Sequence, residues 1–273
     1  MVTNLFNVKN KVVIVTGGTG LLGQEYCKVL AENGARVVIT DLDLDLCIMR
    51  AKELTEKYGA NCIGLRVDVS NINDVIDMIK KVDNVFGRID CLINNAAFNC
   101  PVQDGSSNFF DFVDYPASLF RASVDVNIMG PFFCCQKIIE YMVTNNIKGS
   151  IINICSTYGL VSPKQSLYSH IKEGDKVFVK PVDYAVTKSA ITNLTRYLAT
   201  YYGGKGIRVN TLTPGGVFDH QGEEFVKKYS ENTPIGRMAN KTEYNGAILY
   251  LCSNASSYMT GSNLIIDGGW TSW

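Results

Sequence analysis

The sequence predicts an α/β protein, a single domain built on a doubly wound parallel sheet of about seven strands with helices on both faces. Three observations carry this. Short, near-continuous runs of β-branched and aliphatic residues recur along the chain, as in strands buried on both faces. Between them lie longer segments with apolar residues at helical spacing. The connections are short, and the 273 residues show no internal repeat, low-complexity linker or composition break. Alternating strands and helices then close with right-handed crossovers.

The first strand is expected over residues 11–16 (KVVIVT), ending in glycines, and a helix follows to about residue 33 on Leu21, Leu22, Tyr26, Val29 and Leu30. Residues 36–40 (RVVIT) form the second strand, with a helix through residue 58, and residues 62–67 form the third. A helix over 73–86 leads to a fourth strand at 89–93 (IDCLI), and one long helix over 116–144 leads to a fifth at 150–154. Residues 184–202 read as a helix, 206–212 as a strand, 241–252 as a helix and 263–266 as the last strand.

Composition limits the function. The 26 basic and 26 acidic residues cancel without runs of like charge, so nucleic acid is not an expected partner. No apolar run is long enough to span a bilayer, and the start MVTNLFNVKNK lacks a signal-peptide core, so the expected location is cytoplasmic, with no membrane partner. None of the nine cysteines forms a C-x-x-C pair, and most sit among apolar neighbours as reduced core residues do. Cys155 draws notice because it adjoins a candidate catalytic serine. With two histidines, His170 and His220, and no ligand spacing around either, no metal is expected.

The first strand runs into Thr16-Gly17-Gly18-Thr19-Gly20-Leu21-Leu22-Gly23, where glycines at 18, 20 and 23 satisfy G-x-G-x-x-G. A pyrophosphate must approach backbone N–H groups at a helix N-terminus, and side chains there would block it. The motif follows a strand, opens a helix and precedes Asp41, 18 residues after Gly23 at the end of the second strand. This is a Rossmann-type dinucleotide site. A carboxylate at Asp41 accepts from ribose hydroxyls and repels a 2′-phosphate, so NAD(H) is favoured, and NADP(H) is not excluded.

These residues, with Asp68, NNAA (94–97), Asn127, Ser156, YAVTK (184–188), IRVNTLTPGG (207–216) and YMTGSNLIIDGG (258–269), resemble the short-chain dehydrogenase/reductase family from about residue 11 to 269. Two departures stand out: Leu21 replaces a glycine usual in the single-domain branch, and Ala97 replaces the glycine of NNAG. The resemblance implies a cofactor site of Gly17, Thr19, Gly20, Leu21, Leu22, Asp41, Asp68, Val69, Asn95, Ala96, Ala97, Tyr184, Lys188, Pro214, Gly215 and Val217. It implies a catalytic set of Asn127, Ser156, Tyr184 and Lys188. The serine would hold the substrate oxygen, and the tyrosine would pass a proton to or from it. The lysine would lower the tyrosine pKa and bind the nicotinamide ribose, and the asparagine would hold a relay water. Bringing a phenol from its usual pKa near 10 to neutrality takes roughly 4 kcal/mol.

Two tyrosines compete, because Tyr168-x-x-x-Lys172 and Tyr184-x-x-x-Lys188 both place a lysine one helical turn on. The family's spacing from the serine favours Tyr168, which is 12 residues after Ser156, against 28 for Tyr184. The spacing to the sixth-strand asparagine favours Tyr184, at 26 residues from Asn210 against 42 for Tyr168. A long apolar stripe follows Lys188, whereas Glu173-Gly174-Asp175 and Pro181 stop any helix after Lys172, so Tyr184 and Lys188 are chosen. Tyr168 then falls in an insertion over about 163–181, as loop decoration or as a substrate contact. The insertion sets Lys164, Lys172, Lys176, Lys180 and His170 against Glu173 and Asp175. It is either a solvated loop or a source of cations, Lys172 and Lys176 first, for an acidic or phosphorylated substrate. Residues 217–234 are expected to form a mobile lid, and Thr157, Tyr158, Tyr168, Phe218 and His220 are candidate substrate contacts.

The expected activity is interconversion of a secondary alcohol and a ketone by hydride transfer. The insertion, GGVFDHQGEEFVKKYS and DGGWTSW are similar to bacterial surface-sugar enzymes, including those of flagellin-glycan clusters, which implies a sugar or sugar-nucleotide substrate. An NADPH-dependent 3-oxoacyl thioester reductase is the enzymatic alternative, and a non-catalytic cofactor sensor the alternative of another class. The family further implies a homo-oligomer, a dimer or tetramer.

Overall fold

The computed structural model describes residues 4–99 and 109–273, so Cys100 lies outside the described range. Seven strands form one parallel sheet: β1 (Val12–Thr16), β2 (Arg36–Asp41), β3 (Ile63–Arg66), β4 (Cys91–Asn94), β5 (Ser150–Ile154), β8 (Arg208–Pro214) and β9 (Asn263–Ile266). Their spatial order is β3-β2-β1-β4-β5-β8-β9, and a separate two-stranded antiparallel ribbon pairs β6 (Lys172–Glu173) with β7 (Lys176–Val177). The chain reverses direction across the sheet between β1 and β4, which opens a crevice at their carboxyl ends, where ligands of such sheets bind.

Strand alternation builds a core on each face. Val13, Val15, Val37 and Ile39 meet Tyr26 and Leu30 of α1 (Leu21–Glu32), Leu54 of α2 (Leu44–Tyr58) and Ile248 of α8 (Asn245–Cys252). Val12, Ile14, Val38 and Leu92 face Met78 of α3 (Ile72–Phe86), Ile138 of α5 (Gly130–Thr144) and Leu198 of α6 (Val182–Tyr202). Each fully buried Val, Leu or Ile contributes about 1.5–3 kcal/mol. Polar strand residues pair within the sheet layer: Asn94 Nδ2 donates to Asn153 Oδ1 at 2.8 Å, and Asn153 Nδ2 to Thr195 Oγ1 at 2.9 Å. Local signals set the helix ends. Asp43 caps α2 by accepting from Leu46 N, and Gly59 closes it with φ of 66°, a left-handed conformation suited to glycine.

Two elements differ from the sequence reading. The single helix expected over 116–144 is α4 (Ala117–Val124), a π-helical turn (Asp125–Met129) and α5. A π turn widens the backbone around Asn127, and such turns concentrate at functional sites. The run expected as a mobile lid contains α7 (Glu223–Glu231), with Glu223 and Glu224 at its positive end and Lys228 at its negative end. The apolar side of α7 joins Leu167, Tyr168, Phe178, Met238 and Trp270 in a third cluster, apart from the two sheet cores.

Candidate active site

A cavity of about 500 Å³ lies beyond the carboxyl ends of β5 and β8, under the 163–181 segment and α7. Its floor follows from the start of α6. Pro181 fixes an extended entry, α6 starts at Val182, two residues before the tyrosine, and Asp183 in the first turn accepts from Tyr184 N at 2.7 Å. One turn on, Lys188 donates its ammonium to Ile154 O at 2.9 Å, the last carbonyl of β5. The chain then leaves β5 at Ser156, whose hydroxyl accepts from Tyr158 N at 3.2 Å and pairs with the Tyr184 phenol. Ser156, Tyr184 and Lys188 are thus brought together by one strand end and one helix start.

Burial dominates the electrostatics of this group. It pushes the Tyr184 phenol up to about 12, and the hydrogen bond with Ser156 draws it back only in part. Burial also brings Lys188 down to about 8. The lowering of Tyr184 expected from its lysine is therefore not the net result without cofactor: Lys188 Nζ lies 5.9 Å from the ring centroid, and its own charge is costly to bury. At neutral pH the phenol is protonated.

Asn127 is buried, and its side chain is filled by protein. Oδ1 accepts from Phe98 N at 2.7 Å, while Nδ2 reaches Phe98 O at 2.9 Å, Ser123 Oγ at 3.1 Å and Thr187 Oγ1 at 3.0 Å. It ties the segment after β4 to α6, on the helix side of Tyr184. Cys155 is inert as a nucleophile: it is buried, its Sγ donates to Lys188 O at 3.2 Å, and burial raises its thiol pKa.

The glycine turn forms a cradle. Gly17 has φ of 61°, and a Cβ there would stand 2.8 Å from Ala96 Cα; a Cβ on Gly23 would meet Gly17 O at 2.0 Å. At Gly20 the nearest atom would be 3.4 Å away, and no side chain caps the N-terminus of α1. That fits a pyrophosphate. Asn95 Nδ2 holds the turn by donating to Gly17 O at 2.9 Å and Thr16 O at 3.1 Å. Asp41 Oδ2 accepts from Thr19 N at 3.1 Å and Thr19 Oγ1 at 2.5 Å, which places the acid beside the cradle at the end of β2. Asp68 Oδ1 accepts from Ser70 N and Oγ, and Val69 packs under Gly130. Leu21, Leu22, Pro214, Gly215 and Val217 line the cavity itself, while Ala97 is exposed next to Ala96.

The walls bring in Thr157, Tyr158 and Tyr168 as expected, but Phe218 and His220 are exposed and outside the lining. Tyr168 is buried, its hydroxyl 3.0 Å from that of Tyr158, and burial raises both phenols. Lys172 and Lys176 stand exposed on the ribbon, and it is Lys180 and His170 that reach the cavity. Lys180 Nζ lies 4.8 Å from the Tyr184 ring centroid and donates to Asn99 Oδ1 at 2.6 Å. The position of Lys180 was available in outline, because it sits four residues before Tyr184 and ahead of a proline. Gln221, Phe225 and Tyr229 also line the cavity; only the i, i+4 spacing of the two aromatics hinted at a helical face there. A larger hollow of about 1130 Å³ on the far side of the 163–181 segment does not reach Ser156 or Tyr184.

Comparison with known proteins identifies the family. Residues 11–183 match the family model described as short chain dehydrogenase, and residues 173–271 match one described as enoyl-(acyl carrier protein) reductase. The chain is 32% identical to sorbose reductase of Candida albicans over 99% of its own length and 90% of that protein's. It is likewise 32% identical to peroxisomal 2,4-dienoyl-CoA reductase of Danio rerio, over 96% of this chain and 82% of that one. Among solved structures, a short-chain dehydrogenase from Leptospira borgpetersenii with bound NAD+ is 31% identical, with a TM-score of 0.83 over 97% of this chain and 94% of that one. A gluconate 5-dehydrogenase from Burkholderia cenocepacia in complex with NADP and tartrate superposes with a TM-score of 0.84 over 100% of both chains, at 26% identity. The chain belongs to the short-chain dehydrogenase/reductase family of oxidoreductases, which act on CH–OH groups.

Proposed function

We propose that this protein interconverts a secondary alcohol and a ketone with NAD(H), using Tyr184 as acid and base on a carbohydrate-derived substrate. The observation that carries the reading is the convergence of Ser156, Tyr184 and Lys188 on the cavity floor at the end of β5. When bound, the nicotinamide supplies the hydride in reduction and takes it in oxidation. The chain's residues do the rest. Ser156 holds the reacting oxygen by its hydroxyl. Tyr184, protonated at neutral pH, donates to that oxygen in reduction and receives the proton in oxidation. Lys188 stabilises the phenolate that forms and binds the nicotinamide ribose. Asn127 fixes the helix that carries both, and its side chain, filled by Phe98, Ser123 and Thr187, does not hold the relay water expected of it. Burial strengthens each of these interactions by excluding bulk water.

Asp41, at the end of β2 beside the glycine turn, supports NAD(H) over NADP(H). Relatives that act on sorbose and gluconate support a sugar or sugar-acid substrate. The cavity of about 500 Å³ has room for a free sugar, whereas a sugar nucleotide would leave its nucleotide outside. We further propose a homo-oligomer, supported by exposed Phe132 and Val143 on α5 and Val186, Tyr197 and Tyr201 on α6.

The test is a panel of polyols, ketoses and aldonates with NAD(H), run on wild type, Tyr184→Phe and Tyr168→Phe. Tyr184→Phe should abolish turnover and keep NADH binding, while Tyr168→Phe stays active. The reverse pattern would move the catalyst to Tyr168, and full activity in both variants would overturn the acid–base assignment.

A further inference from the structure

We infer that the hydroxyl of Tyr158, oriented by Tyr168, is a specificity-determining donor to a second oxygen of the substrate, so that the site selects hydroxylated ketones and the matching polyols over simple ketones and alcohols. The inference rests on the proposed dehydrogenase reading and specifies the substrate class of that same site. Tyr158 and Tyr168 both line the cavity that holds Ser156 and Tyr184, and their hydroxyl oxygens lie 3.0 Å apart. Tyr158 also borders the larger hollow but Tyr168 does not, so the pair of oxygens stands on the side of the reacting groups. Ser156 Oγ accepts from the backbone N–H of Tyr158 at 3.2 Å, which fixes Tyr158 in the turn that carries the serine.

Each phenol has a single proton to donate. The bond between the two uses one of them, and the other has no acceptor among the described residues. Packing indicates which is left. Tyr168 is 7% exposed and held between Phe178 and Phe225, each at 5.5 Å between ring centroids, whereas Tyr158 is half-buried. Burial raises both phenols, and their mutual bond raises Tyr168 further while drawing Tyr158 back, as it does when Tyr168 is the donor. The proton left over is that of Tyr158, and both groups stay neutral at neutral pH. No acidic side chain lines this cavity among the described residues. The amide of Gln221 is engaged at both ends, Oε1 accepting from Asp219 N at 2.8 Å and Nε2 donating to Val217 O at 3.0 Å. Once a ligand fills the cavity and displaces water, a donor without an acceptor is costly. A substrate that brings a second oxygen to Tyr158 avoids that cost, and an analogue lacking the oxygen is disfavoured.

The test is reduction of cyclohexanone, 2-hydroxycyclohexanone and 4-hydroxycyclohexanone with NADH and, in parallel, with NADPH. Wild type should show a higher kcat/KM for at least one hydroxy ketone than for cyclohexanone, and which isomer gains reports the separation of the two oxygens. Tyr158→Phe should lower that preference by roughly twofold to tenfold, the range for one neutral hydrogen bond. Tyr168→Phe should lower it less, and the double variant no further than Tyr158→Phe alone, because Tyr168 acts through Tyr158. A purely structural role would lower all three ketones alike and leave the preference intact. Three outcomes overturn the inference: no preference in wild type, an undiminished preference in Tyr158→Phe, or additive losses in the double variant. Turnover of all three ketones without preference would keep the dehydrogenase reading. No turnover, with calorimetric binding to the NADH-saturated protein that favours a hydroxy ketone and loses this in Tyr158→Phe, would keep the Tyr158 donor and refute that reading. Neither turnover nor binding would overturn both.

Discussion

Two glycines three residues apart in the cradle, Gly20 and Gly23, should fail in different ways when changed to alanine. At Gly23 the added Cβ meets Gly17 O at 2.0 Å and Asn95 Nδ2 at 2.9 Å, far inside ordinary van der Waals contact. The Gly17 carbonyl must retreat by more than an ångström, which breaks the 2.9 Å bond from Asn95 that holds the turn. Overpacking costs about 1–3 kcal/mol and the lost hydrogen bond about 1 kcal/mol more, so Gly23→Ala should lose about 2–4 kcal/mol of stability. For a chain of this size that lowers Tm by about 5–10 °C. Gly20 is the opposite case. Its Cβ would find nothing closer than 3.4 Å, so Gly20→Ala should fold with an unchanged Tm. The methyl nonetheless occupies the space in front of the α1 N-terminus, where the pyrophosphate must come close. NADH affinity, followed by fluorescence titration, should therefore fall in both variants, with a lowered Tm in Gly23→Ala alone. If Gly20→Ala binds NADH like wild type, the cradle is not where the phosphates sit.

Three further outcomes follow from the geometry. Replacing Asp41 with serine removes the carboxylate beside the ribose position and the acceptor for Thr19, so NADH affinity should drop while NADPH affinity rises, read by the same titration in parallel. Lys188 has a pKa near 8 in the fold against 10.5 in the unfolded chain, so below pH 8 the fold bears the cost of burying its charge, and that cost fades as pH rises toward 10.5. Lys188→Met should gain about 3 kcal/mol more over wild type at pH 7 than at pH 10 in urea melts, and a pH-independent difference would contradict the buried charge. Trp270→Ala removes a ring stacked 4.4 Å from Tyr229 at 11°, beneath α7; it should raise KM for substrate several-fold while NADH affinity holds, since Trp270 is not among the cavity-lining residues.

The sheet was legible because its strands are buried on both faces and so read as continuous apolar runs, and the glycine turn because backbone approach tolerates no other residue. Tyr184 needed more than local pattern: Tyr168 carries the same Y-x-x-x-K spacing, and only the distance to β8 and the stripe after Lys188 separated them. Other features depend on contacts distant in sequence. The π turn at Asn127 arises where the side chain bridges to Phe98 and Thr187, which helical periodicity does not encode. Helix α7 carries only Phe225, Val226 and Tyr229 as apolar residues, too narrow a stripe to recognise without the 163–181 segment opposite it. Lys180 and Lys176 are alike as letters; burial beside Tyr184 distinguishes them, and that depends on how the segment folds back. Phe218 and His220, chosen for their place in the chain, turned out to be exposed.

The enclosure above Tyr184 has foundations of its own. Its ribbon pairs with itself and adds no strand to the main sheet, and its aromatic cluster is distinct from the cores on the two sheet faces. On the proposed function, substitutions in this canopy should change what is admitted without disturbing the register of β1, β4 and β5 beneath it. The fold therefore separates two kinds of heritable change. Drift in the canopy redirects the enzyme toward new molecules, while drift in the floor ends its chemistry.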